Sequence, residues 1–250
     1  MHLPQELLDE IINNLPLNEE ESLRNCSLVA RSWKNPSQRR LFERVEIVEG
    51  DLVLWQINIS PANGELLQHV RSLSYFNDIR SMIYHAHTLR DYLASFRQLR
   101  HLHLTWIDLT DLAKEVEVFS AFRHTLSHLS TTCCIQTVSA FVILINYFSN
   151  LDHLDIGCLF PSVDSKPVPP LSRSTIREFH IGGFFERMGL AVFFERLAEH
   201  GLAFDKVVIG HSFLYPPTLS RVFNALGANA KRLSILGGLG GGMYTTWGPP

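Results

Sequence analysis

Apolar residues follow two different rhythms along this chain. Over the first 42 residues the rhythm is helical. Leu7, Leu8, Ile11, Ile12 and Leu15 recur at the spacing of one helix face until Pro16 stops the run, and Pro4 suits the first turn, where a missing N–H does no harm. Asn18 followed by Glu21 reads as a capping box for a second helix that carries Leu23, Cys26, Val29 and Ala30 and ends at Trp33. Asn35-Pro36 then reads as the cap and first residue of a third short helix, Ser37 to Phe42. A unit this small hides little surface, so some of these apolar residues are expected to face a partner.

From Phe42 onward the rhythm becomes apolar-x-x-apolar-x-apolar. It appears at Phe42-Val45-Ile47, Val70-Leu73-Tyr75, Leu99-Leu102-Leu104, Leu151-Leu154-Ile156, Ile176-Phe179-Ile181 and Phe204-Val207-Ile209, with weaker copies at Leu126-Leu129-Thr131 and Ala230-Leu233-Ile235. The central residues lie 25 to 29 positions apart, a period that chance alternation would not hold. Each copy alternates as a short strand does. The stretches Thr88 to Phe96, Leu112 to Phe122, Gln136 to Phe148, Leu190 to Leu197 and Leu219 to Leu226 carry helical spacing instead. The prediction is an α/β fold of stacked parallel strands, with a loop bulging where Pro161 to Pro170 replaces a helix. A doubly wound α/β sheet is the alternative that strand–helix alternation also permits.

The period also predicts which side chains share a face. Residues flanking each central apolar one point away from the core, and parallel neighbours sit about 4.8 Å apart. Just before the centre the column reads Ser72, His101, His128, His153, Glu178, Lys206, Arg232; just after it, Ser74, His103, Ser130, Asp155, His180, Val208, Ser234. Five of twelve histidines therefore gather beside Asp155 and Glu178 on what is expected to be a concave face. Three uses compete: polar residues filling exposed strand positions; recognition of a target segment, acidic or phosphorylated, favoured by histidine protonation; or a metal held by His101, His103, His128 and His153. The last would make a metal-dependent hydrolase with Asp155 or Glu178 as general base.

The N-terminal residues resemble the F-box family. Leu3-Pro4, Glu6-Leu7-Leu8, Ile11, Leu15-Pro16 and then Leu28-Val29-Ala30-Arg31-Ser32-Trp33 match its pattern in order and spacing. Phe42 stands where many F-boxes end on Trp, and Arg40-Leu41-Phe42-Glu43-Arg44-Val45 looks like the version abundant in mushroom-type fungi. The resemblance implies that Leu3, Pro4, Leu7, Leu8, Ile11, Ile12, Leu15, Leu28, Val29 and Trp33 present an apolar surface to a Skp-family adaptor linked to a cullin ubiquitin ligase. The repeats resemble leucine-rich repeats, irregular ones, since only Cys134 matches the Asn or Cys expected after the last strand leucine. The implied organisation is an F-box module over 1–44, a repeat solenoid over 45–236 and a Gly-rich tail over 237–250. The implied role is a non-catalytic substrate receptor, with an F-box scaffold that transfers no ubiquitin as the nearest alternative.

Composition narrows this further. The chain is 46% hydrophobic and 19% charged, enough apolar material for a sizeable core, and its net charge of −3 argues against a nucleic-acid binder acting through a basic surface. Glu6, Asp9 and Glu10 stand where a signal peptide needs basic and then apolar residues, and Val138 to Phe148 is too short to span a membrane. A cytoplasmic or nuclear location is expected. Cys26, Cys133, Cys134 and Cys158 form no C-x-x-C pair or zinc-finger spacing, and no motif calls for a cofactor. Gly237 to Gly242 lacks the Lys-Ser/Thr of a phosphate-binding loop, and no Gly-x-Ser-x-Gly elbow occurs. With no polar capping helix at the end, the last strand is expected to be exposed, or the chain to be part of something longer.

Overall fold

The computed structural model describes residues 4–16, 19–48, 64–76, 93–105, 116–135, 137–159, 168–172, 175–182, 189–210, 216–227, 229–236 and 244–247. Three helices come first: α1 Gln5–Asn14, α2 Glu20–Val29 and α3 Arg31–Leu41. Leu8 and Ile12, one turn apart on α1, are buried together with Leu23 of α2 and Pro36 and Ser37 of α3. Asn18 lies outside the described residues, so the capping box does too.

The third helix corrects the sequence expectation. It starts at Arg31, directly after an extended Ala30, so Trp33 sits inside it and Pro36 is an interior residue rather than its first. Proline lacks the N–H that would bond the carbonyl four residues back. That carbonyl belongs to Ser32, and the Gln5 side chain of α1 donates to it at 3.3 Å. A donor from another helix, invisible to local sequence rules, thus replaces the bond that Pro36 removes.

Eight strands follow, β1 Arg44–Val48, β2 Ser72–Phe76, β3 His101–Thr105, β4 His128–Ile135, β5 His153–Leu159, β6 Thr175–Ile181, β7 Ala203–Gly210 and β8 Leu233–Leu236. They form one curved sheet, all parallel and in sequence order. That order excludes the doubly wound alternative, which reverses direction at a switch point. The central residues align from strand to strand, Val45 with Leu73, then Leu102, Leu129, Leu154, Phe179, Val207 and Leu233, as the period predicts. A ninth strand, β9 Tyr244–Trp247, pairs antiparallel with β8 inside the stretch expected to be a tail, and so covers that edge of β8.

Helices α4 Val138–Tyr147, α5 Gly189–Glu199 and α6 Pro216–Gly227 occupy three of the predicted intervals. Thr137 caps α4 by accepting from the Ala140 N–H at 3.1 Å. Val116–Phe122 is a 3₁₀ helix instead of an α-helix, and most of the predicted helix at Thr88 to Phe96, like the loop over 160–167, lies outside the described residues. The core fills the space between sheet and helices. Phe141 of α4 meets Phe179 of β6 at 5.2 Å and Phe193 of α5 at 5.0 Å, and Phe179 stacks on Phe204 of β7 at 5.2 Å.

One glycine is required by a close approach. The β4–β5 register shifts between Thr131 and Cys134, and a Cβ at Gly157 of β5 would lie 2.9 Å from the Thr132 Cα. Gly157→Ala is therefore expected to lower stability by roughly 1–3 kcal/mol, as overpacking does, whereas Gly182→Ala, with nothing within 4 Å of its Cβ, should change it little. Thermal denaturation of the two variants checks the contrast.

The helices join the sheet with only Phe42 and Glu43 between α3 and β1. The Glu43 carbonyl accepts from the N–H groups of Arg71 (2.9 Å) and Ser72 (3.0 Å), and its carboxylate pairs with Arg40 at 2.6 Å. The junction is thus bonded on both sides, which fixes the helical module against the first two strands.

Candidate functional site

Strand register brings the two predicted columns together on the face opposite the helices. Arg44, Ser72, His101, His128, His153, Glu178 and Lys206 are successive partners, as are Glu46, Ser74, His103, Ser130, Asp155, His180 and Val208. Between them runs a groove of about 330 Å³, lined by His101, His103, His128, His153, Asp155, Glu178 and His180 among others. All seven residues expected on this face therefore meet in one place.

The groove's first wall is a pile of imidazoles. His128 and His153 stack within 5° of parallel at 4.0 Å, and His101 meets His128 edge-on at 4.3 Å. Ser127 Oγ lies 2.8 Å from His128 Nδ1 and holds that ring from the strand start. Glu178 ends the pile. One of its oxygens takes Lys206 Nζ at 2.5 Å and His180 Nε2 at 2.6 Å, and the other lies 3.4 Å from His153 Nε2.

On the second wall His103 Nδ1 and Ser130 Oγ are 2.9 Å apart, and Ser130 also hydrogen-bonds Asp155. An ionised carboxylate only accepts, so the Ser130 hydroxyl donates to Asp155 and takes its other bond from the His103 Nδ1–H. A histidine beside a serine is the pairing that a nucleophile needs. Here Ser130 lies within the paired stretch of β4, between His103 of β3 and Asp155 of β5.

Burial and like charge shift these groups in opposite senses. Desolvation, with His153 and His101 adding to it, lowers His128 to about 4. His101 is also lowered, by desolvation first and then by Arg44 and Arg100. The Lys206 hydrogen bond, with His180 adding to it, holds Glu178 at about 2. Asp155 moves the other way: it is exposed as a residue, yet neighbouring side chains crowd its carboxyl enough for lost hydration to raise it.

A stability prediction follows for His128. Unfolded, it takes up a proton near pH 6.5; folded, it holds one only below about 4, so its contribution is fully present above 6.5 and is lost as pH falls toward 4. Thermal melts at pH 7.5, 6 and 5 should show a decline that His128→Asn makes shallower; equal slopes would refute it.

Among the described residues no three His, Cys, Asp or Glu converge as metal ligands do. The reason lies in the stacking. Lone pairs of parallel imidazoles lie in their ring planes and run side by side, so His128 and His153 do not aim at one point. Two of the four histidines proposed as metal ligands, His128 and His153, therefore do not share a coordination point.

The helical module presents a second surface. Leu7 and Ile11 on α1 are 45% and 44% exposed, and Leu28 and Val29 at the end of α2 are 83% and 68% exposed. Pro4 is also exposed, Leu15 and Trp33 are half-buried, Leu8 and Ile12 point inward, and Leu3 lies outside the described residues. The predicted adaptor-facing set thus divides between solvent and the module's own interior.

Residues 1–35 match the F-box domain. The N-terminal module is an F-box domain. No curated protein matches the chain. An F-box domain supports a role as an SCF adaptor-type protein in general, and F-box proteins are in general non-catalytic adaptors. Among the described residues no helix is long and apolar enough to cross a membrane.

Beside the F-box, sequence reasoning placed the groove but missed its wiring. Lys206 fell in the right column, one strand beyond Glu178, without any sign that the two would pair. Ser127 lies outside both columns, and only its position next to His128 hinted at the contact.

Proposed function

We propose that this F-box protein is a substrate receptor of a cullin-based ubiquitin ligase. Its F-box helices dock a Skp-family adaptor through the apolar side chains they leave in solvent, above all Leu7, Ile11, Leu28 and Val29. The open face of the sheet, with His101, His103, His128, His153, Asp155, Glu178 and His180, receives the target. The sheet is read as an irregular leucine-rich-repeat solenoid over 45–236, after an F-box module over 1–44 and before a short C-terminal segment over 237–250.

The observation that carries the reading is the F-box match at residues 1–35, on a module joined to the sheet by two residues. A ligase needs the target's lysine held near a charged conjugating enzyme. A short bonded junction keeps that effective concentration high, where a loose one dilutes it. Four exposed large apolar residues on two short helices support the docking half, because such residues cost solubility unless a partner covers them.

The test is a mixture of the purified chain with a Skp-family adaptor, analysed by size-exclusion chromatography with light scattering. A one-to-one complex is expected, and assembly of ubiquitin chains on addition of cullin, RING subunit, activating and conjugating enzymes should follow. Absence of the complex refutes the docking assignment. A complex that supports no ubiquitin transfer identifies a scaffold instead of a ligase subunit.

A further inference from the structure

We propose that the groove on the open face takes a cationic side chain of the target, an arginine, with its guanidinium set between the imidazole pile and the Asp155 carboxylate. This rests on the reading of that face as the target surface and gives it a chemical preference.

Charge is the first argument. Among the described residues that line the groove there is no lysine or arginine, and the carboxylates are Asp155 and Glu178. Glu178 is already neutralised by Lys206 at 2.5 Å. Asp155 is not: its hydrogen bond comes from the Ser130 hydroxyl, and among the described residues no lysine or arginine pairs with it. The two carboxylates accordingly titrate in opposite directions, Glu178 held low by its cation and Asp155 raised by lost hydration. A carboxylate at the groove, flanked by His180, His103 and the Ser130 hydroxyl with no lysine or arginine among the described residues paired to it, has more to gain from an incoming cation than one already held by a lysine.

Shape and hydrogen-bonding capacity select the kind of cation. His128 and His153 are parallel flat rings 4.0 Å apart, His101 meets His128 edge-on at 4.3 Å, and His153 Nδ1 is buried with no hydrogen-bond partner among the described residues. A guanidinium is flat, carries five N–H donors in a fixed fork and is weakly hydrated, so it can pack beside rings while bonding a carboxylate. An ammonium offers a point charge and no plane.

The anionic ligand anticipated from histidine content fits less well. It would meet the Asp155 carboxylate with no lysine or arginine among the described wall residues, and it would need charged histidines, whereas His128 stays neutral down to about pH 4. A phosphorylated or acidic segment would therefore be repelled where arginine is drawn in.

The experiment is an NMR titration of the full chain, following the ring signals of His103, His128 and His153. Three small probes are added separately at pH 7.4: N-acetyl-arginine N-methylamide, its citrulline counterpart, which keeps the shape without the charge, and N-acetyl-phosphoserine N-methylamide. The arginine compound is expected to shift these signals saturably, the citrulline compound to bind about tenfold or more weakly, and Asp155→Asn to weaken arginine binding by about tenfold, one lost charged contact. Equal binding of arginine and citrulline, tighter binding of phosphoserine, or an unchanged affinity in Asp155→Asn overturns the inference but leaves the face as a ligand surface. No shift with any probe overturns both the inference and the reading of that face.

Discussion

Leu7→Asp combined with Ile11→Asp is expected to weaken binding of a Skp-family adaptor by about 100-fold or more while leaving the thermal unfolding of the chain nearly unchanged. Both side chains are close to half exposed on α1, so the free chain loses little when they become charged. Covering the remaining exposed half of one such side chain contributes roughly 0.7–1.5 kcal/mol. Two together give about 1.5–3 kcal/mol, about 1.4 kcal/mol is a factor of ten, and the cost of forcing two carboxylates into an apolar contact adds to the loss. The neighbouring Ile12, 0% exposed, supplies the contrast. Ile12→Asp puts a charge into the module's interior and should unfold it, so adaptor binding is lost together with structure. Calorimetric titration with the adaptor, alongside a thermal melt of each variant, separates the two. Undiminished binding by the Leu7/Ile11 variant would mean that this face of α1 is not the docking surface.

The second large effect concerns the core beneath the groove. Phe179→Ala should destabilise the chain by about 3–5 kcal/mol, the range for an aromatic ring deleted from a packed interior. Phe179 is fully buried and touches three further rings, Phe141 and Phe204 at 5.2 Å and Phe194 at 6.2 Å, so its removal leaves a hole bounded by α4, α5 and β7. Its neighbours in β6 are Glu178 and His180, which form the end of the groove. Loss of the ring should therefore also loosen the Glu178 contacts with Lys206 and His180. Phe223→Ala on α6, where the ring is 37% exposed, should cost far less. Urea denaturation of both variants gives the comparison, and a Phe179→Ala cost below about 1 kcal/mol would contradict the packing described.

Both predictions turn on features of unequal legibility. The 25-to-29-residue period located every central strand residue, and all eight align in the sheet. Side-chain alternation in a strand is a local property of the backbone, so a repeated alternation also predicts which residues line up on the far face. The F-box pattern was legible for a related reason, being a fixed order of residues over a short span. The helix boundaries near Trp33 and Pro36 were not. The carbonyl that Pro36 leaves unbonded inside α3 is met by Gln5, 27 residues before Ser32, which donates to it, and no window around Pro36 contains that donor.

Sequence periodicity determined the strand centres and the two columns that gather histidines beside Asp155 and Glu178, because a period of side chains is a period of backbone positions, whereas the choice of stacking in order over a doubly wound sheet came from the strand pairing. Tertiary structure alone decided that Leu8 and Ile12 turn inward while Leu7 and Ile11 face solvent, that Lys206 neutralises Glu178 while no lysine or arginine among the described residues pairs with Asp155, and that the rings of His128 and His153 stack in parallel. Those outcomes depend on which atoms approach within a few ångströms across the fold, where desolvation and pairing set the energies, and such distances are not a property of spacing along the chain.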